Sequence, residues 1–170
     1  MSELRGSGFL YALSAIATTF ASFSTLVLIL RQVSGGSRSG YDAWVAISSL
    51  QGGFFVTMSA LLPPLLFGSG WLDAAGAWRL SSVIVFVAYA LLIGTFPTRR
   101  RRITGVPTPR FVIVNLALLS LSLPALALNA LAWPASPGFG LYAAALLWMF
   151  LLAVLAYLQA IALIVRQDQT

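Results

Sequence analysis

Five times in succession the chain enters an apolar run of about twenty residues: Phe9 to Leu30, Trp44 to Phe67, Trp78 to Phe96, Phe111 to Trp133 and Leu141 to Val165. A helix rises 1.5 Å per residue, so roughly 20 such residues cover the roughly 30 Å of hydrocarbon in a bilayer. With 59% hydrophobic and 8% charged residues, and a mean hydropathy of +0.93, the chain lacks the polar surface to cover a soluble globule. The sequence therefore predicts an all-α fold: one transmembrane bundle of five spanning helices over residues 1–170, with no soluble domain. Four spans are the fallback if the shortest run, Trp78 to Phe96, stops short. The first run follows Arg5 and has the outline of a secretory signal, but it is too long and has no small-x-small cleavage site, so it is read as a span.

Charge orders these spans. Four consecutive arginines, Arg99 to Arg102, with Arg110 close behind, fall between the third and fourth runs, where a loop is expected. Guanidinium groups do not rest in hydrocarbon, and cytoplasmic loops are the ones enriched in them. Placing this loop in the cytoplasm puts eight arginines inside (Arg31, Arg38, Arg99 to Arg102, Arg110, Arg166) against two outside (Arg5, Arg79). The N-terminus is then outside and the C-terminus cytoplasmic. The same run attracts anionic lipid headgroups, each charge near the surface contributing about 1 kcal/mol. A net charge of +6 concentrated this way is a topology signal and not a nucleic-acid footprint.

Aromatic rings and helix punctuation agree with these boundaries. Trp71, Trp78 and Trp133 fall at the outer edge and Tyr41 with Trp44 at the inner one, where amphipathic rings favour headgroups. Asp42 is placed to cap the second helix, and Thr108 before Pro109 and Ser136 before Pro137 read as cap followed by first helical residue. Ser34 to Gly40 is a flexible Gly/Ser link. Ser59 stands four residues before Pro63, and Ser120 four before Pro124. Each serine owns the carbonyl that its proline leaves without an N–H, so both helices are expected to kink.

Several chemistries are unsupported. The chain has no cysteine, histidine or lysine, and its acids, Glu3, Asp42, Asp73 and Asp168, all lie outside or at the edge of the runs. Imidazole or thiolate metal sites, Schiff bases and intramembrane proton carriers have no candidate residues. The expectation is a protein that is not an enzyme and carries no metal or cofactor.

Two polar patterns remain. On the first span Ser14, Thr18, Ser22 and Thr25 fall within about 80° on a helical wheel, opposite Phe9, Leu13, Ile16, Phe20, Phe23 and Val27. The hydroxyl side is either a close helix contact or a wetted pore wall. The last span carries a stripe of small residues with one methionine, Ala145, Met149, Ala153, Ala156 and Ala160, suited to close packing. Gln51, Asn115 and Gln159 lie roughly 7 to 11 Å from the inner boundary, with Thr25 at the same level. This layer is either interhelical hydrogen bonding or a polar vestibule beneath the arginines, whose positive mouth favours anions or neutral solutes. The functional expectation is a homo-oligomeric passive channel or permeation pathway for such solutes. The alternative is a non-conducting accessory or scaffold subunit of a larger membrane complex.

Overall fold

The structure, a computed structural model, describes residues 4–33, 40–105, 110–133 and 136–167, with side chains described except at 28, 31–33, 40–43, 111 and 163–167. The expected Thr108 cap, residues 34–39 of the Gly/Ser link, and the side chains of Tyr41, Asp42, Arg31, Arg38 and Arg166 lie outside this set; the second helix already begins at Gly40, so Asp42 falls inside its first turn and not at its cap. The described chain is helical: α1 Ser7–Val33, α2 Gly40–Gly68, α3 Ala74–Thr104, α4 Arg110–Ser120, α5 Ser122–Leu131 and α6 Phe139–Gln167. Among the described residues five segments are long and apolar enough to cross a membrane, with α4 and α5 forming one of them. No fallback to four is needed, because the run taken as shortest belongs to the longest helix, the 31-residue α3.

The helices alternate in direction. α2, α3, the α4/α5 pair and α6 close a four-membered ring, and α1 packs along the outside of α2. That contact is close because Gly53 has no side chain: a Cβ there would stand 2.5 Å from Ala21 Cβ and 2.9 Å from the Ala17 carbonyl oxygen. The core fills the half of the ring away from the arginines, around Val85, Leu126, Tyr142, Leu146 and Met149. Large apolar side chains elsewhere, among them Ile16, Phe23, Met58, Leu65, Leu91 and Leu158, point outward over half-exposed or more. An outward-facing apolar surface around a bundle that also buries its centre is the pattern of a protein solvated by lipid tails.

The arginine run is helix rather than loop. α3 continues through Pro97 and the arginines to Thr104, where Gly105 adopts the left-handed conformation (φ 69°) and donates its N–H to the Arg101 carbonyl. Arginine is a good helix former and its charge suits the negative C-terminal end of the dipole, so the run lengthens the helix past the hydrocarbon. At 1.5 Å per residue α3 spans about 46 Å. At its other end Asp73, in extended conformation, accepts the Gly76 N–H at 2.8 Å, a cap that the sequence reading passed over.

The two prolines behave differently. α2 is continuous through Pro63 and Pro64, and the Ser59 carbonyl that Pro63 frees accepts the Tyr142 hydroxyl of α6 at 2.6 Å. At Pro124 the span is interrupted at Leu121, whose N–H turns to the Leu118 carbonyl three residues back. Ser120 and Ser122 tighten the same turn by donating to the Ala117 and Leu119 carbonyls at 2.6 and 2.8 Å. Of the two helices expected to kink, only the second is interrupted.

Ser136 and Pro137 precede α6 without starting it. The helix begins at Phe139, and the Gly138 N–H is taken by Asn129 Oδ1 of α5 at 2.9 Å. Asn129, 2% exposed, passes the connection on: its Nδ2 donates to Ser82 Oγ, and Ser82 donates to the Trp78 carbonyl, both at 2.8 Å. Trp78 is itself 3% exposed and packs on Phe139 and Tyr142, so it is a core residue and not part of an interfacial belt. Trp71 and Trp133, at 90% and 64% exposed, lie outside the core.

Candidate functional site

The arginine half of the ring is not filled. A cavity of ≈ 160 Å³ lies there between α2, α3, α4 and α6. Its walls are mostly apolar, including Phe55, Val56, Leu92, Ile93, Phe96, Leu116 and Leu119, and its polar members are Ser48, Ser49, Gln51, Tyr89, Arg99, Arg100, Asn115 and Tyr157. None of the lining residues, all taken from the described set, is acidic.

The α3 face follows from helical spacing. Tyr89, Leu92 and Ile93, Phe96, and Arg99 with Arg100 recur every three or four residues and so share one side. Helical side chains lean toward the N-terminus, which on α3 points Arg99 back into the ring. Its Nη1 donates to Gln51 Oε1 at 2.9 Å and its Nη2 to the Leu92 carbonyl at 3.3 Å, seven residues earlier on the same helix. The guanidinium is therefore held at the level of the amide layer and not at the end of α3. Arg99 Nε, fully enclosed, has no acceptor. Arg100 is 3% exposed, whereas Arg101 and Arg102 face outward. Four residues written as one charge cluster thus divide into an inward pair and an outward pair, as successive positions 100° apart on a helix require.

The amide layer is assembled in part. Asn115 of α4 donates to Gln159 of α6 at 2.9 Å, an amide pair across two helices, while Gln51 binds Arg99. Gln51 and Asn115 line the cavity; Gln159 and Thr25 do not. Thr25 donates to the Ala21 carbonyl of its own helix at 2.8 Å. Arg110 begins α4 and is exposed.

The first helix's hydroxyls stand apart from the cavity. Ser14 is buried against α2, where Thr18 Oγ1 and Thr57 Oγ1 are 3.0 Å apart and Thr57 donates to the Ser14 carbonyl at 3.3 Å. Ser22 is exposed and donates to the Thr18 carbonyl at 2.9 Å. The buried face of α1 runs along Leu10, Ala17, Ala21 and Ser24, between the two sides drawn on the helical wheel. Small residues let α2 approach, which a polar-against-apolar division of the wheel does not register.

Residues missed in the sequence complete the site. Trp44, placed at the lipid boundary by its position, is 4% exposed, packs edge-on against Phe96 at 4.9 Å and lines the cavity. Tyr89 stacks on Phe55 at 5.3 Å; its hydroxyl comes near Ser122 without closing a hydrogen bond and is left buried without a partner. The small-residue stripe of α6 supplies a wall through Met149, Ala153, Ala156 and Ala160, leaving the space that larger side chains would occupy.

Comparison with protein-family models, with curated proteins and with solved structures finds no match for this chain. Fold and site define an integral, multi-pass membrane protein: of its five apolar spans, four enclose a recess at one end, with the guanidinium groups of Arg99 and Arg100 and the amides of Gln51 and Asn115 in its walls.

Proposed function

We propose that the protein provides a permeation pathway for small anionic or neutral solutes, with the recess between α2, α3, α4 and α6 as its vestibule. The observation that carries this reading is the position of Arg99. Gln51 and the Leu92 carbonyl hold its guanidinium on the wall of a cavity with no acidic lining residue, where it favours anions and opposes cations. Excess arginine on cytoplasmic segments orients this end toward the cytoplasm. Outward-facing Arg101 and Arg102 contact anionic lipid headgroups. The chain performs no covalent chemistry.

In one protomer the vestibule ends against the core at Val85, Leu126, Tyr142 and Leu146. Passage therefore needs either repacking of that plug or a path completed between copies, and we propose self-association through the lipid-facing apolar surface. The same plug favours the second reading, a non-conducting subunit of a larger membrane complex.

Purified protein in liposomes separates the two. The pathway reading expects chloride, nitrate and glycerol to cross faster than in empty vesicles while potassium does not, and expects Gln51→Leu to cut anion flux at least several-fold with folding retained. Equal flux in empty and loaded vesicles, or potassium passing as readily as chloride, contradicts it.

A further inference from the structure

Away from its arginines the vestibule has mostly apolar walls. The cavity combines one cationic patch with a body lined by rings and aliphatic side chains such as Phe55, Ile93, Leu116 and Leu119. Cavities of about 150 Å³ with apolar walls stay dry and hold one benzene-sized body, so ≈ 160 Å³ suits roughly six to eight carbon atoms better than a hydrated ion. Two buried groups on these residues able to donate, Arg99 Nε and the Tyr89 hydroxyl, lack acceptors. A buried donor left unmatched is costly, and an occupant with negative oxygen atoms would match it.

We propose that the recess is a binding site for a single small anionic amphiphile: a carboxylate at Arg99 and an apolar body of medium-chain or aromatic size lying toward Phe55 and Leu119. The assignment rests on the vestibule reading and names its solute class. Arg99 supplies its positive charge and whichever terminal N–H groups Gln51 and Leu92 leave, which suit a carboxylate. The Tyr89 hydroxyl provides a further donor on the same helix face. The small residues of α6, Ala153 and Ala156, set the width available to the body.

Equilibrium binding of radiolabelled octanoate to the full chain in zwitterionic nanodiscs tests this, reading only the saturable component, with octanol and chloride as competitors. The expected result is one saturable site per chain. Arg99→Gln should weaken binding at least tenfold and Tyr89→Phe about threefold, while octanol and millimolar chloride fail to displace octanoate. Tyr89→Phe removes a buried hydroxyl with no hydrogen bond, so its melting temperature should be no lower than the wild type's, which keeps the test valid if Arg99→Gln misfolds. Displacement by octanol equal to that by unlabelled octanoate would show an apolar hole without a head-group site, and displacement by chloride would show an inorganic-ion site; either overturns the proposal. The vestibule reading fails separately: anion flux without saturable octanoate binding sinks only the amphiphile, and octanoate binding without any flux sinks only the pathway.

Discussion

Replacing Tyr142 by phenylalanine deletes one oxygen and strands another. The Ser59 carbonyl has no helical N–H to turn to, because the residue four positions on is Pro63, and the Tyr142 hydroxyl at 2.6 Å is its partner. Tyr142 is 0% and Ser59 4% exposed, so water does not stand in. Hydrogen bonds between membrane helices are worth about 0.6 kcal/mol on average, with a maximum near 1.7, while an abandoned buried acceptor costs about 1–3 kcal/mol. Tyr142→Phe should therefore destabilise the protein by about 1.5–2.5 kcal/mol. Pro63→Ala restores an N–H within reach of Ser59, and in that background Tyr142→Phe should cost under about 0.5 kcal/mol, a coupling of at least about 1 kcal/mol. Reversible unfolding in bicelles, measured for the four corners of this cycle, gives the coupling directly. Additive effects would refute the argument that the tyrosine serves the carbonyl freed by the proline.

Three further outcomes follow from the packing. Gly53→Ala should drive α1 off α2 at Ala17 and Ala21, costing about 1–3 kcal/mol in the same unfolding assay, whereas Gly94→Ala, with open space at its Cβ, should not destabilise. Asn129→Ala leaves Gly138 N–H and Ser82 without their partner and should lose about 2 kcal/mol, read as a lower unfolding midpoint. Thr18→Val and Ser22→Val should alter stability by less than about 1 kcal/mol and leave solute flux unchanged, since neither residue lines the cavity; a selective loss of flux would return the first helix to the pathway.

What could be read from the chain was whatever lipid alone dictates. The five spans follow from the length of hydrocarbon, and they stand because no competing signal is strong enough to reverse runs such as Leu141 to Val165. Gln51 and Asn115 are legible as a layer because amides within apolar spans are rare and their distance from the span ends is arithmetic. Their partners were not legible. That Gln51 meets Arg99 while Asn115 meets Gln159 depends on helix rotation, which apolar side chains facing lipid and apolar side chains facing the core do not distinguish. The same ambiguity misplaced Trp78 and Trp44, whose positions near span ends suggested headgroups although both are buried in the bundle. The charge of the arginine run points to a loop, whereas arginine's helix propensity lets the helix leave the bilayer without ending.

The chain contains no cysteine, so Ser48→Cys places a single thiol on the cavity wall. Its rates of reaction with an anionic and a cationic thiosulfonate of similar size, in sealed vesicles with the arginine end outward, test the charge of the recess most directly. The guanidinium groups of Arg99 and Arg100 on the same cavity wall should favour the anionic reagent on the order of tenfold, and Arg99→Gln should remove a large part of that preference. Equal rates, a faster cationic reagent, or a preference that survives Arg99→Gln undiminished would contradict a cavity governed by the Arg99 charge.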